Sequence, residues 1–199
     1  MAAAGPEWVV REDASRPVLV ALYLRQVLGI EHPAELPHLR GVPATARGGE
    51  VERTKLARQW RAYWNMTVEP QAYPSPVPLE IAPGFDTLVA LPEQDFDELA
   101  SAIAPYGSAA VAYARETNER YRAVVASGSS YRAYAGAIAQ YERTSGRPAQ
   151  PFELNVQVLP LTQRGVWWIG ALTVAVTDSL RSDVVAFDTA IAPVIADLA

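Results

Sequence analysis

The sequence predicts an α+β fold in which five to six helices pack on a small, mainly antiparallel sheet. Several long segments repeat their apolar residues with helical spacing, which indicates helices. Two adjacent apolar runs near the carboxyl end have the length and alternation of strands. In addition, 50% of the 199 residues are hydrophobic and 20% are charged, so the chain can bury a core.

The first predicted helix spans residues 16–28. Ser15 precedes it as an N-cap, Pro17 lies in its first turn and Gly29 ends it. Apolar side chains surround most of its circumference, so we expect a buried helix.

The second helix, residues 50–66, has the clearest amphipathic pattern, with Leu56, Trp60 and Trp64 on one face. It is followed by residues 70–92, which contain six prolines and therefore cannot form a long helix. We expect a packed strap there, and its segment 85–91 is a candidate edge strand.

Three further helices are predicted before the apolar runs, over residues 94–104, 108–126 and 130–143. The first has acidic residues crowded into its opening turn, which suits the helix dipole. Ser127-Gly128-Ser129 separates the other two, which predicts a helical hairpin.

The two apolar runs predict an antiparallel β-hairpin over residues 152–176. In the first run apolar and polar residues alternate, which is typical of a strand with one buried face. The apolar residues are Phe152, Leu154, Val156 and Val158, and the polar ones are Glu153, Asn155 and Gln157. Trp167 and Trp168 point to opposite faces of the second run, so we expect both faces of that strand to be covered, by helices or by another subunit. The last predicted helix, residues 182–198, follows and contains Pro193.

We expect a single domain over residues 1–199. The alternative is an N-terminal helical subunit, 1–69, joined by the proline-rich strap 70–92 to an α+β part, 93–199.

Composition limits the function classes. The net charge of −5 argues against a nucleic-acid partner, which normally meets a basic surface. The chain has no cysteine, no N-terminal signal pattern and no apolar run of the roughly 20 residues that span a bilayer, so we expect a soluble, cytoplasmic protein without a membrane partner. Sixteen arginines, one lysine and 34 alanines are typical of a GC-rich bacterial genome.

Few residues suggest chemistry. The two histidines, His32 and His38, lie near glutamates and are weak candidates for metal ligands. Tyr131, Arg132, Asp95 and Asp97 are weak candidates for binding a ligand. No phosphate-binding loop, dinucleotide fingerprint or zinc-protease motif occurs, and we expect no cofactor.

Six of the nine tyrosines lie between residues 106 and 141, several with an arginine nearby, and both residue types are favoured at protein interfaces. The interface candidates that follow from this pattern are Tyr113, Tyr121, Arg122, Tyr134 and Tyr141. The more ordinary interpretation is a helix pair whose tyrosines straddle the boundary of the core.

The sequence therefore favours a non-enzymatic protein-interaction or assembly module, in one form a homodimer that uses helices 108–143 or an exposed sheet face. The alternative is a small-ligand-binding protein or hydrolase whose site is assembled from dispersed polar residues.

Overall fold

A computed structural model describes residues 8–44, 50–126 and 132–199. It confirms the α+β class. The chain divides into two compact units. Unit 1 contains the described residues of 1–13 and 121–199, and unit 2 contains those of 14–120. The expectation of one domain, or of a boundary at 70–92, stays a prediction.

The predicted helices are present with shifts of a few residues at their ends, and a strand that the sequence did not suggest precedes them. In chain order the elements are β1 (Trp8–Asp13), α1 (Arg16–Val27), α2 (Glu50–Val68), β2 (Leu79–Ile81), β3 (Ala90–Pro92), α3 (Asp97–Ile103), α4 (Gly107–Ala126), α5 (Arg132–Ser145), β4 (Phe152–Leu159), β5 (Val166–Trp168), β6 (Thr173–Thr177), α6 (Asp178–Arg181) and α7 (Val184–Leu198).

Unit 1 is built on a four-stranded sheet with the strand order β1-β4-β6-β5. β1 pairs parallel with β4, β4 pairs parallel with β6, and only β5 runs antiparallel to its neighbour. The prediction of a mainly antiparallel sheet is therefore wrong.

The hairpin predicted over residues 152–176 is also wrong, because its two outer strands, β4 and β6, are parallel neighbours. The polar loop 162–165 leads into the short strand β5, and the chain then turns at residues 169–172 to form the actual hairpin, β5–β6. The alternation along β4 identified its buried face correctly, but that period is the same in parallel and antiparallel pairing.

Helices α5 and α7 pack against the apolar face of this sheet. β6 is buried along its whole length, as expected of a strand with a neighbour on each side. The α7 side chains that are less than 1% exposed are Phe187, Ile191 and Ile195. Asp183 caps α7 by accepting a hydrogen bond from the Ala186 amide at 3.2 Å.

Unit 2 is mainly helical. α1 is buried on nearly all sides, as the sequence predicts. Arg25 near its end donates to the carbonyl oxygens of Leu36 at 2.8 Å and Pro33 at 3.0 Å, which holds the loop that follows. The segment proposed as an edge strand forms instead part of a separate two-stranded sheet, β2–β3. Across the described residues, no helix has the length and apolar character needed to cross a membrane.

Candidate functional site

The most distinctive surface of unit 1 is the β5–β6 hairpin, residues 165–177, which we call the hairpin surface. It contains no charged residue. β5 ends the sheet, and among the described strands it pairs only with β6. Natural sheets commonly protect such an edge with charged residues or proline, and β5 has neither.

The backbone of β5 alternates in direction along this edge. The carbonyl oxygen of Gly165 accepts from the Thr177 amide at 3.1 Å, and the Ile169 amide donates to the Thr173 carbonyl at 2.9 Å. In antiparallel pairing, alternate residues direct their backbone groups to opposite sides. Val166 and Trp168 therefore direct their amide and carbonyl groups towards the outer edge of the sheet.

The hairpin surface also exposes apolar side chains. Trp168 and Leu172 are each 43% exposed, so this chain's own helices do not fully cover β5 at Trp168, and cover by another subunit stays a prediction. Trp168 projects from the same side as the core residue Val174, but it lies at the margin of the sheet. Two exposed large apolar side chains on one uncharged hairpin make this surface a candidate contact site.

The exposure of Trp168 predicts a small effect on stability. Trp168→Ala is expected to lower the free energy of unfolding by about 1 kcal/mol, well below the ~3–5 kcal/mol of a fully buried tryptophan. Urea denaturation followed by circular dichroism measures the change in protein dilute enough to be monomeric, so that only burial within one chain contributes. A loss as large as that of a core tryptophan under these conditions would show that Trp168 is buried within its own chain and is not part of an exposed surface.

A second constellation lies at the opposite edge of the sheet, on the same helix-covered face, at the carboxyl end of β1, and we call it the Glu12 cluster. Glu12 accepts hydrogen bonds from the hydroxyls of Tyr134 at 2.5 Å and Tyr121 at 3.2 Å, and from Nε of Arg181 at 2.7 Å. The Arg181 guanidinium also lies over the Phe187 ring, 4.7 Å from its centroid. The side chains of Arg181 and Glu12 are only 11% and 9% exposed.

The electrostatics of this cluster favour a structural role. Burial raises the pKa of Tyr134 and of Tyr121, and the nearby Glu12 charge raises both further. Burial acts to lower the pKa of Arg181, but its hydrogen bond and attraction to Glu12 outweigh that effect and raise it. The phenols therefore stay neutral donors and the guanidinium stays charged, so neither can serve as a base near neutral pH.

Sequence reasoning named Tyr121 and Tyr134 as interface candidates and missed Glu12 and Arg181. Tyr134 is 2% exposed and lies inside unit 1, so it has no surface to offer a partner. The carboxylate and the guanidinium are 169 positions apart, a distance over which no local pattern operates. Only the β-prone run Trp8-Val9-Val10 could have drawn attention to this end of the chain.

The remaining interface candidates are scattered. In unit 2 the Tyr113 hydroxyl donates to the Arg40 carbonyl at 2.9 Å, and its ring lies 5.6 Å from that of Tyr23. In unit 1, Tyr141 is half-buried against the core and Arg122 is exposed. Their interface role stays a prediction.

The ligand and metal candidates also stay predictions. Tyr131 and the side chain of Arg132 lie outside the described residues, and Asp95 and Asp97 are exposed. His38 is exposed, whereas His32 contacts Arg61, whose Nε donates to Nε2 of the imidazole at 3.0 Å. Burial and this positive charge lower the pKa of His32. Throughout the described part of the chain, no three His, Asp or Glu side chains are placed to hold a metal ion.

The acidic first turn of α3 contains Glu98, which accepts hydrogen bonds from Lys55 and Gln59 of α2. These bonds lower its pKa to about 2 from an ordinary value of 4.5. Because the folded pKa is depressed, the pair stabilises unit 2 above pH 4.5, and this contribution disappears as the pH falls from there through about 2.

We expect a carboxyl-carbon NMR titration of Glu98 to have its midpoint near 2, rising towards 4.5 in the Lys55→Met variant. A Glu98 midpoint that is unchanged by Lys55→Met would contradict the assignment of the shift to this ion pair.

The fold and its surfaces place the chain in the α+β class, with a mixed, mainly parallel sheet in unit 1. No family model matches it, and neither a curated protein nor a solved structure gives a significant match.

Proposed function

We propose that this protein is a non-enzymatic protein-interaction module that binds its partner through the hairpin surface. The observation that carries the proposal is the uncharged edge strand β5, which ends in exposed Trp168 and is followed by exposed Leu172 in the next turn. Edge strands bind extended segments through backbone hydrogen bonds, and tryptophan is among the residues that contribute most to interface affinity.

The partner that suits the hairpin surface is a protein. The hairpin surface has no lysine or arginine with which to contact phosphate groups, and the chain has a net charge of −5, so a nucleic acid or an anionic membrane is disfavoured. A cytoplasmic location belongs to the same proposal, and a chain without cysteine is compatible with a reducing compartment.

An enzyme or ligand-binding function would depend on the Glu12 cluster, because this cluster brings together polar residues from distant positions of the chain. Its carboxylate is 9% exposed and accepts three hydrogen bonds from neighbouring side chains. Within unit 1 this arrangement joins β1 to Tyr121, α5 and α6, which supports a structural role over hydrolysis.

Photo-crosslinking tests the proposal. A photoreactive amino acid replaces Leu172 in the full chain, produced in cells of its source organism, and the matched control carries the same amino acid at Val185. Val185 is 78% exposed on α7, outside the hairpin surface. We expect a discrete protein adduct from position 172 and none from position 185. Absence of an adduct at 172, a lipid adduct, or equal labelling at both positions would overturn the proposal.

A further inference from the structure

We infer that the partner at the hairpin surface is a second copy of this chain, whose β5 pairs antiparallel with β5 of the first to join two four-stranded sheets into one. The inference rests on the proposed function and identifies the partner for it. Antiparallel pairing of a strand with its own copy has a two-fold axis. Each β5 edge therefore pairs with the other β5 edge, and this contact does not extend into a filament.

The hydrogen-bonding direction along β5 sets the register. Because Val166 and Trp168 direct their backbone groups outward, each must form a hydrogen-bonded pair with the other copy. A two-fold axis through Trp167 is the only one that places both residues in such pairs along the three residues of β5. Val166 then faces the partner's Trp168, and Trp168 faces the partner's Val166. The two Trp167 residues face each other as a non-hydrogen-bonded pair, with Cα atoms about 4.5 Å apart.

Side chains match in this register. The exposed Trp168 indole lies beside the partner's Val166 on the helix-covered side, and aromatic residues paired across strands with β-branched residues stabilise sheets. On the other face, the Trp167 indole lies along its own strand over Gly165, where an added Cβ would be 2.8 Å from the ring. Glycine at 165 thus leaves space for the ring beside the axis.

The charges near the hairpin surface permit self-pairing. Two copies with a net charge of −5 each repel, so a shared interface must keep carboxylates apart. The hairpin surface has none, and in this register the flanking Arg164 lies opposite the partner's Gly170. Arg164 is already paired with Asp183 of its own chain at 2.6 Å. By contrast β1, the other edge, carries Arg11, Glu12 and Asp13.

Two measurements on the purified full chain test the inference. Light scattering after size exclusion is expected to show a mass that rises with concentration from 21.6 kDa towards twice that value. Trp168→Arg should raise the dissociation constant at least about tenfold, whereas the matched Val185→Arg should leave it unchanged. A chain that stays monomeric at every soluble concentration, or equal effects of the two variants, would overturn the inference.

The register has its own test, because the chain has no cysteine and one engineered thiol is unambiguous. The Trp167→Cys variant should form an intermolecular disulfide under mild oxidation, and the Val185→Cys variant should not. If Trp167→Cys impairs folding, the wild-type mass and the Trp168→Arg comparison still decide the inference. A dimer in which a folded Trp167→Cys variant fails to crosslink would overturn the proposed pairing.

Failure of the inference is distinguishable from failure of the proposed function. If the purified chain is monomeric but photo-crosslinking from position 172 captures a protein of another mass, the second copy is excluded and the interaction module stands. If position 172 captures nothing, both are overturned.

Discussion

Arg181→Ala is expected to destabilise unit 1 by about 3–5 kcal/mol, because it leaves the Glu12 carboxylate buried without its cation. The pair is 2.7 Å apart, and the two side chains are 11% and 9% exposed. The substitution also removes the guanidinium from the face of Phe187. Urea denaturation, followed by circular dichroism, measures the loss.

Arg11→Ala is the matched control. Arg11 also pairs with a glutamate of unit 1, Glu153 at 2.6 Å, but both side chains are 56% exposed. Solvent screens exposed ion pairs and they contribute little to stability, so the control variant should be nearly as stable as the wild type. Equal losses in the two variants would show that the Glu12 cluster is not desolvated in solution.

A double variant separates the ion pair from simple loss of packing. Glu12→Gln with Arg181→Met removes both charges and keeps most of the side-chain volume, so it should be more stable than Arg181→Ala alone. If the double variant is the less stable, the cost arises from packing and not from an uncompensated carboxylate.

Trp60→Ala is expected to destabilise unit 2 by about 3–5 kcal/mol, which is typical of truncating a buried tryptophan. Trp60 is 0% exposed and stacks on Trp64 at a ring distance of 5.5 Å. Its indole nitrogen donates to the Ala21 carbonyl of α1 at 3.1 Å, so the substitution also leaves that oxygen without this donor.

Trp60→Phe separates the packing of the ring from its hydrogen bond. Phenylalanine keeps much of the ring but lacks the donor, so Trp60→Phe should cost less than Trp60→Ala. Thermal denaturation of the two variants gives their order of stability. A Trp60→Ala variant as stable as the wild type would show that α2 does not pack on α1 as described.

Helices were the most predictable part of this fold. Ser15 with Pro17 marked the start of α1, and the spacing of Leu56, Trp60 and Trp64 identified the buried face of α2. These signals lie within a few turns of one helix, where side chains three and four positions apart share a face. The caps act over the same short range, which is why sequence alone could locate the elements.

The sheet was predictable only in part. Alternation identified β4 and its buried face, but the pairing partner of a strand depends on residues far away in the chain. Arg11 of β1 and its partner Glu153 of β4 are 142 positions apart in the chain. The parallel pairing of β1 with β4 is one of the two parallel pairings that make the sheet mainly parallel. A two-residue period cannot distinguish a parallel neighbour from an antiparallel one, so the hairpin was placed between the wrong strands.

The sequence by itself determined the α+β class, the helices, the uncharged character of residues 165–177 and the absence of familiar catalytic motifs. Tertiary structure alone decided that β5 is an edge strand, that Trp168 is exposed, and that Glu12 meets Arg181. The physical reason is range: capping and periodicity act between near neighbours in the chain, whereas edges, exposure and buried ion pairs arise only when distant segments pack together.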